Sequence, residues 1–385
     1  MTPCLLTLAP LTTHYLLTTY YPSPPYSITV RLTFTAKLHY SPTPLPFYPS
    51  TPLPPMPSLQ TCPAFTPAQM AEFQAQGYLM LKNALTQEQV DEIVERLDPL
   101  FNTQFETGIY PDEWSGRPGL SQPNATRQMT GMWRCDRTVA KYSLSGEIAR
   151  LNAELMGWDG GRYGLDVCWI KPPNAPEVAF HRNNTYVEAI NPSSIITCWI
   201  ALSDCTAEAG TLEVVPASHH WNCTDTVRFL HAPRDDYRAP LVQAAEEAGV
   251  DSFEAIPIEM APGSAVFLHG NLWHGSGRNR TENQTRRSFA VSTLPMQAEF
   301  RPPGMGKGYI FDRYRRMGRL DVDESYYPML WRSDGYRTPF LADYCGEGWL
   351  GGETRFIASL RLSLIYLYSH LPMHSAYVCT NTSPC

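Results

Sequence analysis

Apolar positions recur with two different periods along this chain, and the change falls near residue 163. Thr66-Pro67-Ala68-Gln69 is a capping-box pattern with Pro at the first helical position, and Gly77 supplies a stop, so a helix is expected between them. Tyr78–Leu81 reads as a short strand. Thr86-Gln87-Glu88-Gln89 repeats the capping pattern, and Val90, Ile93, Val94 and Leu97 then fall at i, i+3, i+4 and i+7, one face of an amphipathic helix. A third helix is expected over Gly146–Met156. Beyond it, residues 163–170, 194–202, 211–215, 264–268 and 287–294 are short β-branched or aromatic runs, most of them separated by Gly, Pro, Asn or Asp. Residues 242–254 read as a helical insertion. Helices followed by many short strands predict a mainly β fold with flanking α: a double-stranded β-helix (jelly-roll, cupin-like) core with N-terminal helices.

The two ends depart from this patterning. The first 61 residues are rich in Pro and Thr, carry only Arg31 and Lys37 as charges, and precede the first acidic residue, Glu72. Such a stretch cannot form regular elements. It is expected to be a disordered leader, either a transit peptide or a non-native extension ahead of Met56. A domain over 62–350 and a poorly ordered tail over 351–385 complete the expected organisation. A formal net charge of −7 leaves no electrostatic footprint for nucleic acid. No run is long and apolar enough for a membrane span. The ten cysteines include no C-x-x-C pair, which points to buried reduced thiols. The expected compartment is cytoplasmic or organellar, without secretion.

Three local patterns carry candidate chemistry: Phe180-His181-Arg182-Asn183-Asn184-Thr185-Tyr186; the stretch from His269 through His274-Gly275-Ser276 to Asn279; and Arg286-Arg287 opening an apolar run. A His, a second donor two residues on, a distant His and then an Arg match the layout of non-haem Fe(II) oxygenases. There the protein donors occupy one face of the metal and leave the other open. The two-residue step keeps both donors on one side of a strand. An Arg on a neighbouring strand can grip a distal carboxylate in a planar two-pronged geometry that Lys cannot reproduce.

With these residues in place the chain resembles the phytanoyl-CoA dioxygenase family of Fe(II)/2-oxoglutarate oxygenases over about residues 64–295. Further matches are Phe65-Thr66, Phe73, Gly77-Tyr78, Lys171-Pro172-Pro173, Trp199-Ile200-Ala201-Leu202, and the stretch from Gly210 to His219. The resemblance implies a jelly roll in which His181, Asn183 and His274 hold Fe(II) and Arg286 binds the distal carboxylate of 2-oxoglutarate. Trp199 would line the co-substrate pocket, and Arg127 would supply a further basic co-substrate contact. His274 is preferred over His269 because the family histidine is followed by Gly-Ser; spacing prefers Arg286 over Arg287. The implied reaction is hydroxylation of a small-molecule or acyl substrate with O2, 2-oxoglutarate being decarboxylated to succinate, with ascorbate as a further cofactor.

One position departs from the family pattern, His-x-Asp: here the third residue is Asn183. A neutral amide oxygen is a poorer donor to a hard cation, so weaker iron binding is expected, and Asn fills the space that halogenating relatives leave open. Glu188 could replace the ligand only if a loop delivered it, and Arg182 would add an opposing cation. The alternative is a catalytically impaired relative acting as a binding or regulatory protein. Ser218-His219-His220 reads as a structural turn and Gly346 to Gly352 as no phosphate loop. Tyr326, Tyr327, Trp331 and Tyr336 would form a pocket wall or cover an open end of the core.

Overall fold

The computed structural model describes residues 64–345, except 118, 225–235 and 307–308. The leader, the tail and the Gly346 to Gly352 stretch therefore lie outside the described residues.

Three of the expected helices form where their caps place them. Thr66 and Gln69 make both halves of a capping box at the start of Pro67–Gln76, which ends on Gly77 in the left-handed region at φ 79°. Gln87–Phe101 opens on the equivalent Thr86–Gln89 box and buries Val90, Ile93, Leu97, Leu100 and Phe101. Gly146–Met156 runs from a Ser145 cap to left-handed Gly157. The expected insertion is a helix, but it starts earlier and is shorter: Ala239–Ala248 begins at the Pro240 turn and stops on left-handed Gly249.

Two antiparallel sheets face one another. The larger runs in the order Tyr78–Leu81, Ala265–His269, Ile196–Ala201, Arg286–Pro295, Gly160–Lys171, Arg127–Thr130, Glu113–Ser115, with Met329–Arg332 also pairing to the Gly160–Lys171 strand. The smaller runs Val178–His181, His274–Ser276, Leu212–Val214, Ile256–Pro257. Neighbours in space that are distant in sequence give the crossed connections of a jelly roll.

Strand alternation sorts the residues between two environments. On the larger sheet Cys168, Ile170, Ile196, Cys198, Ile200, Phe267, Phe289 and Val291 pack into the core under the N-terminal helices. Their alternates Trp169, Thr197, Trp199, Arg286, Ala290 and Ser292 face the space between the sheets. On the smaller sheet Phe180, and Trp273 just before its His274 strand, pack outward against Leu241 and Ala244 of the Ala239–Ala248 helix. That sends the adjacent His181 and His274 inward. Cys135, Cys168, Cys198, Cys205 and Cys345 are buried free thiols, and Cys223 is a half-buried one.

Candidate active site

The space between the sheets is a cavity of about 120 Å³. His181 and His274 sit directly opposite one another on paired strands, with ring centroids 4.2 Å apart. Each imidazole is held the same way. His181 Nδ1 lies 2.8 Å from the Ala179 carbonyl and His274 Nδ1 lies 2.8 Å from the Leu272 carbonyl. A proton on each Nδ1 satisfies those carbonyls and leaves Nε2 as the lone-pair end, the arrangement usual for metal-ligating histidines. Burial pushes the His274 imidazole down to about 4, so it is neutral and able to donate its lone pair at ordinary pH.

The strand bearing His181 ends at that residue, and Asn183 opens a 3-10 turn, Asn183–Val187, where the sequence suggested a continuous strand. Arg182 keeps an extended backbone (φ −117°, ψ 139°), so the alternation carries over and Asn183 still lines the cavity beside His181. Arg182 consequently points the other way. Its guanidinium donates to the Cys223 carbonyl and lies 5.6 Å from the Trp273 ring centroid, so the cation expected near the site is not in it. Asn184 ties the turn down: its backbone N–H donates to the Gly270 carbonyl, its Oδ1 accepts from Ile195, and its Nδ2 donates to Asn271.

No Asp, Glu or Lys appears among the described residues lining the cavity, and Glu188 is not brought there. Among the described residues no trio of His, Cys, Asp and Glu is arranged to hold a metal. Among the described residues lining the cavity, the side chain two positions beyond His181 is the uncharged Asn183.

Arg286 is buried in the cavity wall and Arg287, its neighbour, faces the opposite side of the sheet. Arg286 Nη1 donates to Ser288 Oγ at 2.7 Å, and its guanidinium carbon lies 5.6 Å from the centroid of Trp199. Its Nε is buried without a partner, and among the described residues it has no carboxylate. Burial lowers its pKa, yet a guanidinium remains charged. Lys171 stands directly opposite Arg286 on the paired strand, fully buried, its Nζ donating to Ser276 Oγ and the Gly277 carbonyl; burial and the nearby Arg286 hold its pKa well below the usual lysine range.

Arg127 does not join this cluster. It stands on the Arg127–Thr130 strand, but Gln128 takes the cavity-facing phase. Gln128 is buried, and its Oε1 is without a partner. His269 also lies outside: its ring packs near Phe73 and His219, and its Nδ1 accepts from the Asn271 N–H. Ser218-His219-His220 is a one-turn 3-10 segment. Of the late aromatics none is among the described residues lining the cavity: Tyr327 is buried against Phe300 and Phe311, Trp331 packs in another cluster, and Tyr326 and Tyr336 are exposed, while Tyr186, Tyr309 and Phe311 do line it. Sequence reasoning also passed over Thr197 and Ser292. Their even spacing from Trp199 and Arg286 on the same strands was the available signal.

A family model described as "Phytanoyl-CoA dioxygenase (PhyH)" matches residues 73–288. This chain belongs to the phytanoyl-CoA dioxygenase family. The curated relatives it matches are named dioxygenases, and its core is a jelly roll. Among curated relatives, "Dioxygenase trt7" of Aspergillus terreus is 30% identical over 152 residues, 37% of this chain and 45% of that protein. The aligned part thus spans less than half of that relative. "Dioxygenase andF" of Emericella variicolor is 25% identical over 319 residues, 77% of this chain and 94% of that protein. Among solved structures, the non-heme alpha ketoglutarate dependent carbocyclase SnoK from nogalamycin biosynthesis shares the fold. Its TM-score is 0.53 at 18% identity, over 69% of this chain and 96% of that one. None of the described helices is long and apolar enough to cross a membrane.

Proposed function

We propose that this phytanoyl-CoA dioxygenase family member is an active oxygenase that holds Fe(II) through His181, Asn183 and His274. On this reading Arg286, stacked beside Trp199, grips the distal carboxylate of 2-oxoglutarate. The observation that carries the reading is the buried Arg286 itself. A cation buried in the cavity wall with no anion beside it among the described residues is costly unless an anionic ligand completes it. When bound, iron with 2-oxoglutarate supplies an O2-dependent oxidation in which 2-oxoglutarate is decarboxylated to succinate. The chain's own residues supply the rest. The Ala179 and Leu272 carbonyls fix the two imidazole tautomers, and Ser288 and Trp199 fix the Arg286 plane. Tyr186, Tyr309 and Phe311 add aromatic surface to the cavity wall.

The wall around the rest of the cavity is Leu165, Val167, Val187 and Ile195 with those aromatics. Among the described residues that line it, Arg286 is the sole arginine or lysine. This favours an uncharged, largely apolar small molecule over a CoA ester, whose phosphates would find no cation among the lining residues.

The test is anaerobic titration of the full chain with Fe(II) and 2-oxoglutarate, following the visible charge-transfer band of chelated 2-oxoglutarate. A band that His274→Ala and Arg286→Ala abolish supports the reading. A band absent from the wild type but present in Asn183→Asp would turn the conclusion to the impaired alternative. Absence from both overturns the iron assignment.

A further inference from the structure

A carboxylate presents the same atom from either side, but a carboxamide does not. One end of Asn183 is an acceptor oxygen; the other is an NH2 with no lone pair to offer a cation. Turned over, the side chain would oppose a metal it is meant to hold. A His/Asn/His site therefore needs something a His/Asp/His site does not: a neighbour that decides which end of the amide faces the cavity.

The strands behind Asn183 contain such a neighbour. Asn183 Nδ2 donates to Thr197 Oγ1 at 3.1 Å. Thr197 Oγ1 in turn lies 2.8 Å from Ser292 Oγ, and the two residues are directly opposed partners on adjacent strands, both buried. A threonine hydroxyl is free to accept from an amide when its own proton goes elsewhere, and Ser292 Oγ can take it. The backbone cannot compensate by swinging, because Asn184 is bonded to Gly270, Ile195 and Asn271. Resting on the reading that Asn183 is the third metal donor, we infer that Thr197, oriented by Ser292, is a positioning residue that keeps the Asn183 carboxamide oxygen turned toward His181 and His274. Thr197 itself does not contact the metal.

The experiment measures Co(II) affinity of the full chain by chelator competition, together with the visible Co(II) ligand-field spectrum. Thr197→Val is expected to weaken binding about tenfold and alter the spectrum, and Thr197→Ser to restore both. In an Asn183→Asp background, where neither end is wrong, Thr197→Val should change affinity by no more than about twofold. Ser292→Ala tests the same device while leaving Thr197 in place; it should weaken Co(II) binding in the wild-type background and not in the Asn183→Asp background. Equal losses in the two backgrounds would show general support of the turn and overturn the inference. So would a wild-type site that binds Co(II) and is indifferent to both substitutions. A wild-type chain that binds no Co(II), with His181→Ala behaving identically, overturns the metal reading, and the inference falls with it.

Discussion

At the residue scale, the guanidinium of Arg286 is buried and has no carboxylate partner among the described residues. Arg332, by contrast, pairs with Asp334 and Arg150 with Glu147 and Glu154. Its geometry, not only its charge, does the binding. Arg286→Lys keeps a cation but loses the planar fork and the contact with Trp199. It is expected to weaken 2-oxoglutarate binding roughly 30-fold or more, equivalent to about 2 kcal/mol, while Co(II) binding without co-substrate stays near wild type. A titration calorimeter separates the two affinities, and equal weakening of both would contradict the assignment. His269 makes a different prediction. Burial, then His219 and His220, push its imidazole down to about 4. Between about 6.5 and 4 the unfolded chain therefore takes up a proton that the folded chain refuses. Stability should fall as pH drops through that window, by at most about 1.4 kcal/mol per unit from this residue. His269→Asn, whose oxygen can still accept from the Asn271 N–H, should flatten the slope in urea melts; an unchanged slope would reject it.

At the scale of elements, the turn that carries Asn183 is clamped where Gly270 leaves no room for a side chain. A Cβ on Gly270 would sit 2.0 Å from Asn184 Oδ1 and 2.3 Å from the Ile195 carbonyl oxygen. Gly270→Ala is thus expected to destabilise the protein by about 2–3 kcal/mol and to weaken metal binding as well, since the turn must shift. A melting temperature within a degree of wild type would refute this. The same elements show what patterning can reveal. Gly146–Met156 was legible because Ser145 and Gly157 bracket it, and the Arg286 strand because its apolar run is long. The Arg127–Thr130 strand was not, since Arg, Gln and Thr give no alternation to phase; the cavity therefore receives Gln128 where Arg127 was expected. Arg137–Ser143 is only seven residues long and its Asp136 cap is easily overlooked. The histidine pair and Arg286 were legible by spacing, whereas Thr197 and Ser292 meet at the cavity through a strand pairing that lies far apart in sequence, and Tyr309 reaches it from a turn.

For the whole molecule, the decisive quantity is charge between the sheets. On the proposed reading, with His181, Asn183 and His274 as donors, no carboxylate among the described residues lining the cavity balances a divalent cation placed there. The dianion 2-oxoglutarate supplies that balance. Metal and co-substrate should consequently bind as a pair: saturating 2-oxoglutarate is expected to raise Fe(II) affinity about tenfold more in the wild type than in Asn183→Asp, and Fe(II) should raise 2-oxoglutarate affinity by the reciprocal factor. Equal enhancement in the two proteins would refute the pairing. The lack of a carboxylate among the described residues lining the cavity has a further consequence. A fixed cation without a fixed anion behaves like an ion-exchange resin, so Arg286 is never truly vacant in a salt solution. Chloride, buffer carboxylates and the succinate left after each turnover all compete for the same guanidinium. Every affinity and rate measured on this protein will therefore carry the signature of its buffer.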